Sequence, residues 1–212
     1  MTLIRLIGAA AAVVSFMCGS TGPNAGSETT SGVKIASRGD TLCVTTAPGT
    51  TIVIFDARYS PGDTLRYTDT VVVGDSGKVV FTGLPAGTYN IFSYPNVSNT
   101  GAAVLGVPVN FNNSDSAISD SAQFSTLKTI TGTVTRQEQP DSLAEVFIAG
   151  SFFYSRTDTQ GGFRFDKVPP GAYVVIARHG YWGGVRSASD SLNVDIGLND
   201  SVSIVRVNLM LQ

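Results

Sequence analysis

Residues 161–173 read GGFRFDKVPPGAY, and residues 77–89 read GKVVFTGLPAGTY. The two stretches share glycine, phenylalanine, proline, glycine and tyrosine at one spacing. The shared residues are Gly77, Phe81, Pro85, Gly87 and Tyr89 in the first copy, and Gly161, Phe165, Pro169, Gly171 and Tyr173 in the second. A pattern that recurs 84 residues further along the chain predicts a duplicated domain, so we expect two copies of one small module.

Each shared residue type suits a β-hairpin. The first glycine follows a polar stretch and is expected to adopt a positive φ in a turn. Proline has no N–H to give to a ladder and ends the strand, and the second glycine is expected to turn the chain. The alternation around the aromatic residues places Phe81, Tyr89, Phe165 and Tyr173 on inward faces, and we expect each module to have its own core.

The stretch from Thr157 to Tyr173 resembles the signature of carboxypeptidase regulatory-like domains. The resemblance covers residues 129–211 well and residues 38–124 more loosely. It implies an all-β protein with two tandem seven-stranded sandwiches of the transthyretin-like, immunoglobulin-like kind. Members of this family serve as spacers, interaction modules and ligand binders, so the resemblance is specific for fold and implies no particular activity.

Turn-forming clusters of Gly, Pro, Asn and Asp divide both modules into strands. In the first module the predicted strands are 41–46, 51–57, 65–73, 78–82, 88–94, 103–111 and 117–124. In the second they are 129–135, 144–149, 153–157, 162–166, 173–178, 191–196 and 201–211. Residues 173–177 lack polar alternation, which predicts a central strand buried on both faces.

The N-terminal segment has the features of an export signal. Arg5 precedes an apolar run over residues 6–17, which is too short to span a bilayer. The run ends at Cys18, and the segment resembles a bacterial lipoprotein signal, which implies a lipid anchor on that cysteine. We therefore expect a signal peptide over 1–17, a flexible tether over 18–35, a first sandwich over 36–125 and a second over 126–212.

Two alternatives remain open for this segment. Residues 15–17 are Ser, Phe and Met, which departs from the usual residues before a lipidated cysteine, and cleavage after Ser20 would release a soluble periplasmic or secreted protein. We expect an exported protein held at the outer membrane or cell surface. Two cysteines in an exported chain suggest one disulfide. If Cys18 carries lipid, however, Cys43 is expected to be an unpaired, buried residue in a strand.

Composition narrows the classes of partner. Charged residues make up 14% of the chain, the net charge is −2 and the isoelectric point is near 5.3. Such a chain, with no basic cluster, is not expected to bind nucleic acid. The expected partners are the lipid bilayer, through the N-terminal anchor, and an unidentified envelope protein or polysaccharide.

No constellation in the sequence predicts an enzyme. His179 is the single histidine, so a multi-histidine zinc site cannot form within one chain, and we expect no cofactor and no metal. A calcium site at Asp190, Asp195 and Asp200 is the weaker interpretation of three turn-forming aspartates. An internal amide bond between Lys128 and Asn208, assisted by Glu145, has the right residue types, but a solvated Lys128 is favoured.

Two functional hypotheses follow. The favoured one is a non-catalytic cell-envelope lipoprotein whose modules act as a spacer or protein-interaction unit. The alternative is a carbohydrate-binding surface lipoprotein that uses the aromatic loop 179–184, with His179, Tyr181 and Trp182 as possible ligand-binding residues. Planar rings can stack on sugar faces, and the flanking glycines favour an exposed loop.

Overall fold

A computed structural model describes residues 31–62, 66, 68–96, 99–109, 118–179, 188–197 and 204–211. Every regular element in these ranges is a β-strand, which confirms the all-β class. Each strand that the turn chemistry predicts has a counterpart that begins or ends within a few residues of it. The strands form two sandwiches in tandem.

The first sandwich is built from two antiparallel sheets. Its strands are β1 (Gly32–Arg38), β2 (Thr41–Thr45), β3 (Thr51–Asp56), β4 (Thr68–Val72), β5 (Lys78–Phe81), β6 (Gly87–Tyr94), β7 (Thr100–Val109), β8 (Ile118–Gln123) and β9 (Ser125–Thr126). One sheet has the order β5-β2-β1-β8 and the other β4-β3-β6-β7-β9.

The second sandwich repeats this plan. Its strands are β10 (Lys128–Arg136), β11 (Gln139–Pro140), β12 (Glu145–Ile148), β13 (Tyr154–Arg156), β14 (Gly162–Val168), β15 (Gly171–His179), β16 (Ala188–Ile196) and β17 (Ile204–Leu211). One sheet contains β14, β10 and β17, with the short β11 beside β10, and the other has the order β13-β12-β15-β16.

Apart from the two-residue strands β9 and β11, the two modules differ by one inserted strand. In the second module β17 pairs directly with β10, in parallel. In the first module β1 lies between the equivalent strands β2 and β8 and is antiparallel to both. The first module thus repeats the seven longer strands of the second, with β1 added within one sheet.

The strand β1 corrects the predicted extent of the tether. The tether was expected to run from residue 18 to residue 35, but residues 32–35 belong to β1. Val33 and Ile35 are 1% and 2% exposed, because they face the core of the first module. The remainder of the predicted tether and the signal peptide lie outside the described residues.

The duplicated motif forms the same structure in both modules. Gly77 and Gly161 have φ of 66° and 75°, as the sequence predicts for turn glycines. Phe81, Tyr89, Phe165 and Tyr173 are all buried, which confirms their inward faces. The second glycine of each copy begins a strand instead of making a turn.

A hydrogen bond explains why proline and tyrosine recur at a fixed spacing. The hydroxyl of Tyr89 donates to the carbonyl of Pro85 at 2.7 Å, and that of Tyr173 donates to the carbonyl of Pro169 at 2.7 Å. The tyrosine ring folds back over the glycine between them. A Cβ on Gly171 would lie 3.2 Å from Cζ and Oη of Tyr173, so glycine leaves the ring the room it needs.

We expect Tyr89→Phe and Tyr173→Phe each to lower the free energy of unfolding by about 1–2 kcal/mol, because each leaves a proline carbonyl without its donor. Tyr94→Phe is the matched control, since the buried Tyr94 hydroxyl has no hydrogen-bond partner among the described residues. Urea unfolding of the three variants measures the difference. Equal losses in all three would contradict the assigned role of the two bonds.

Candidate functional site

The strand β6 is buried on both of its faces. Tyr89 and Ile91 point into the core of the first module. Phe92, which points the opposite way, is 0% exposed and belongs to the hydrophobic cluster of the second module. The outer face of the first module's sheet is therefore covered by the second module.

Five aromatic rings fill this contact, which we call the aromatic junction: Phe55 and Phe92 of the first module, and Phe152, Phe153 and Tyr173 of the second. The rings of Phe92 and Tyr173 are stacked, with centroids 6.5 Å apart and planes at 9°. Phe92 also lies 6.0 Å from Phe152 and 6.0 Å from Phe153, both near-perpendicular. Such ring pairs add specific geometry to the burial of apolar area.

Polar contacts flank the aromatic junction. The amide of Asn90 donates to the carbonyl of Gly150 at 3.1 Å and accepts from the backbone N–H of Gly106 at 3.0 Å. The N–H of Gly150 donates to the carbonyl of Tyr59 at 2.8 Å. A Cβ on Gly150 would lie 2.7 Å from the carbonyl oxygen of Ala57, so the backbones of the two modules approach as closely as glycine permits.

These contacts correct the expectation of two separate cores. The first module has a core of its own, but the cluster of the second module includes Phe55 and Phe92. One hydrophobic cluster therefore extends across the module boundary. The orientation of the two modules is set by buried side chains and not by a linker alone.

Beside the aromatic junction lies a groove of about 650 Å³, which we call the junction groove. Both modules contribute to it. Its lining residues are Tyr94, Pro95, Asn96, Asn99, Thr100, Leu127, Phe152, Asp166 and Lys167. None of these residues was predicted from the sequence for this role. The one local signal of the groove is the adjacency of Phe152 and Phe153, because neighbours in extended chain face opposite ways and one ring has to leave the core.

The second-module wall of the groove carries two charges on a distorted strand. Asp166 accepts hydrogen bonds from Nε of Arg164 at 2.9–3.0 Å and from the hydroxyl of Thr129 at 2.9 Å. The Arg164 and Thr129 bonds hold the pKa of the Asp166 carboxyl below its usual range. Lys167 has φ of 60°, and the register of β10 against β14 shifts at this point.

The equivalent position in the first module is Gly83, with φ of 69°. Glycine adopts this left-handed conformation without strain, whereas a residue with a Cβ does not. The second module therefore has a lysine at a left-handed backbone position where the first module has glycine. Tyr94 lines the opposite side of the groove, and burial raises the pKa of its hydroxyl well above the usual value.

The structure places only one of the three predicted loop residues. His179 lies at the end of β15, where its Nδ1 is 3.0 Å from Oδ2 of the buried Asp141. Arg136 contacts the same carboxylate at 3.5 Å. Tyr181 and Trp182 lie outside the described residues, so their role in ligand binding stays a prediction.

The cysteine prediction is corrected in part. Cys43 is buried in β2, as expected. It is disulfide-bonded, as two cysteines in an exported chain suggest, and not unpaired, as expected for a chain with lipid on Cys18. The chain has two cysteines, so an intrachain partner would be Cys18, which lies outside the described residues. Lipid attachment and a disulfide use the same sulfur of Cys18 and exclude each other.

The internal amide bond is not supported by the positions of its residues. Lys128 is buried, whereas it was expected to be solvated. Asn208, however, pairs with Thr133 and lies five residues along the sheet from Lys128, or roughly 17 Å. Glu145 is engaged elsewhere: Nε of Arg178 donates to it at 2.7 Å and lowers the pKa of its carboxyl.

Within the described ranges, no group of three or more His, Cys, Asp or Glu side chains could hold a metal ion. Asp190 and Asp195 lie in β16, and Asp200 lies outside the described residues. The described residues also include no helix long and apolar enough to cross a membrane.

Comparison with known proteins gives weak structural likenesses only. No family model and no curated protein matches the chain. The major pilin subunit of Bacillus cereus is 14% identical, with a TM-score of 0.33 over 81% of this chain and 63% of that one. The minor pilin of Streptococcus agalactiae is 13% identical, with a TM-score of 0.32 over 79% and 84%.

A mutant of the shaft pilin SpaA of Lactobacillus rhamnosus GG is 11% identical, with a TM-score of 0.30 over 79% of this chain and 86% of that one. The match to the Bacillus cereus subunit covers 63% of that chain, which is less than two thirds of its length. Likenesses at this level carry no inference about what this protein binds or joins.

Proposed function

We propose that this protein is a non-catalytic component of the cell envelope whose two sandwiches act together as a rigid spacer or protein-interaction unit. Export would be directed by the N-terminal segment. A lipid on Cys18 would hold the protein at the outer membrane or cell surface, in molecules whose Cys18 is acylated and therefore not bridged to Cys43. The partner would be an envelope protein or polysaccharide that binds to the modules.

The aromatic junction is the observation that supports this proposal. Tandem domains move relative to one another unless their interface is large and hydrophobic. Here Phe92 is fully buried between the modules, and Asn90 bonds across the boundary to Gly150. A unit whose two ends keep a constant separation is suited to hold a partner at a defined distance from its anchor.

Small-angle X-ray scattering of the mature protein tests the rigidity. We expect a single particle shape that does not change with ionic strength, because apolar packing, not exposed charge, holds the modules together. A Phe92→Ala variant is expected to scatter as two modules with variable separation. Wild-type scattering that requires an ensemble of separations would contradict the rigid spacer.

The membrane anchor is tested by fractionation of the producing cells. We expect the wild type to partition with membranes, because the two acyl chains of a lipidated cysteine anchor a protein stably. Cys18→Ser should release the protein or leave it unprocessed. Cys43→Ser is the matched control: it leaves the sulfur of Cys18 available for the lipid, so this variant should stay with membranes.

The competing outcome is equally clear. If Cys18 bridges to Cys43, the wild type should be soluble, its mass should lack any lipid, and both serine variants should show the same change in mobility without reducing agent. That result would remove the lipid anchor from the proposal and leave the spacer in place.

The second candidate function is carbohydrate binding. The loop proposed for it from the sequence lies outside the described residues, apart from His179, which contacts Asp141. The observation that favours a sugar site is elsewhere, in the junction groove, where rings, amides and a hydroxyl meet.

A further inference from the structure

We propose that the junction groove binds a neutral saccharide chain. This site goes beyond the spacer function, because a rigid joint does not require an open groove beside it. Its volume of about 650 Å³ falls within the range of roughly 300–1,000 Å³ that is typical of ligand pockets.

The floor of the groove is an exposed and well-supported ring. Phe152 is 44% exposed, although it belongs to the aromatic junction. Its ring rests against Phe153 at 4.4 Å and Tyr94 at 6.1 Å between centroids. A ring held in place from behind offers a flat apolar face. Because the ring is already ordered, the protein loses little side-chain entropy when a ligand stacks on it.

The rim supplies hydrogen bonds of both kinds. Asn96 and Asn99 each carry two N–H donors and one carbonyl acceptor, and Thr100 carries a hydroxyl. A sugar hydroxyl is itself both donor and acceptor, and the C–H face of a pyranose ring is apolar. The combination of an apolar floor with amide and hydroxyl walls matches these two surfaces of a sugar.

The charges of the groove point to a neutral ligand. The groove lining contains one carboxylate, Asp166, and one ammonium group, Lys167, and it is not dominated by charges of one sign. The carboxylate is already held by Arg164 and stays available as an acceptor for hydroxyl groups. Neither a polyanion nor a strongly basic segment finds a complementary field here.

The backbone at Lys167 is the independent observation. A lysine with φ of 60° costs conformational free energy that glycine avoids, and Gly83 holds the equivalent position in the first module. Strained residues concentrate at binding sites, and bulged strands re-aim side chains at them. Of the four described non-glycine residues with positive φ, Lys167 lies on the groove, whereas Gln137, Glu138 and Leu143 do not.

The test is titration of the mature protein with short neutral gluco-, manno-, xylo- and galacto-oligosaccharides, followed by calorimetry and by NMR shifts of groove amides. We expect saturable binding of at least one series. Phe152→Leu keeps an apolar side chain but removes the flat ring, and should weaken binding roughly threefold to tenfold. Lys167→Gly removes the side chain at a backbone position that suits glycine, and should weaken binding without loss of stability.

Tyr154→Leu is the matched control, because Tyr154 is an exposed aromatic residue of the second module outside the groove. It should leave binding unchanged. Absence of binding in every series, or equal affinity in wild type and Phe152→Leu, would overturn the proposal. Displacement of the sugar by unstructured peptides of higher affinity would reassign the groove to a peptide ligand. None of these outcomes bears on the anchor or on the rigidity of the modules.

Discussion

Replacement of Phe92 by alanine is expected to cost about 3–5 kcal/mol of unfolding free energy and to separate one unfolding transition into two. The ring is fully buried, stacks on Tyr173 and meets both Phe152 and Phe153. Its removal leaves a cavity between the modules, where neither module can close over the gap by itself. Each module should then unfold at its own denaturant concentration.

Ile91→Ala is the matched control for this experiment. Ile91 is the neighbouring residue, is equally buried, and faces the core of the first module alone. It should destabilise by about 2–5 kcal/mol but leave the modules joined. Amide hydrogen exchange, analysed separately for peptides of each module, follows both effects. One cooperative transition in Phe92→Ala, with the wild-type midpoint, would contradict the shared cluster.

Replacement of Phe165 by alanine is expected to lower the free energy of unfolding of the second module by about 3–5 kcal/mol, because it leaves a cavity in the core of that module. Phe165 is buried, lies opposite Ile130 in the sheet, and contacts Phe163 and Phe153 with centroids 5.4 Å and 6.3 Å away. A small domain has a total stability of about 5–15 kcal/mol, so the variant should lose a large share of that stability and unfold at a clearly lower temperature.

Arg164→Ala controls for this position. Arg164 is the preceding residue on the same strand, points to solvent, and pairs with Asp166 at the surface. Thermal unfolding should hardly change, since exposed ion pairs contribute little. A shift of only a degree or two in Phe165→Ala would show that the inward face of β14 is assigned wrongly.

The strands were predictable because turn chemistry is local. Proline and glycine act on their own backbone and on the residue beside them, so strand ends can be recognised without knowledge of the fold. The strand β1 was not recognised because only Val33 and Ile35 alternate with polar residues, which is a short run, and because it directly follows a polar segment. Its burial depends on pairing with β2, which follows it in the chain, and with β8, which is distant in sequence.

Burial on two faces was assigned to the wrong strand for a physical reason. The apolar run at residues 173–177 predicted that β15 would be covered on both sides, yet Val174 is 40% exposed. The strand that is covered twice is β6, although it contains Asn90 and Ser93. Asn90 tolerates burial because its amide is bonded to Gly150 and Gly106, and such partners come from tertiary structure.

The groove could not be predicted from the sequence, because it exists only where two modules meet. Asn96 and Asn99 appear as ordinary loop residues, and Asp166 and Lys167 as part of a hairpin. Their proximity follows from the docking of the modules at Phe92. Periodicity within one strand contains no information on that docking.

The position of β1 determines how the protein would respond to a pulling force. A chain tethered through its N-terminal segment transmits a load to β1, which begins at Gly32, before it reaches any other strand. This strand has five paired residues on one side and six on the other. The hydrogen bonds of both ladders lie at right angles to a pull along the strand. The hydrogen bonds are therefore loaded together in shear instead of opening one at a time, and an edge strand in this place would peel away under a much smaller force.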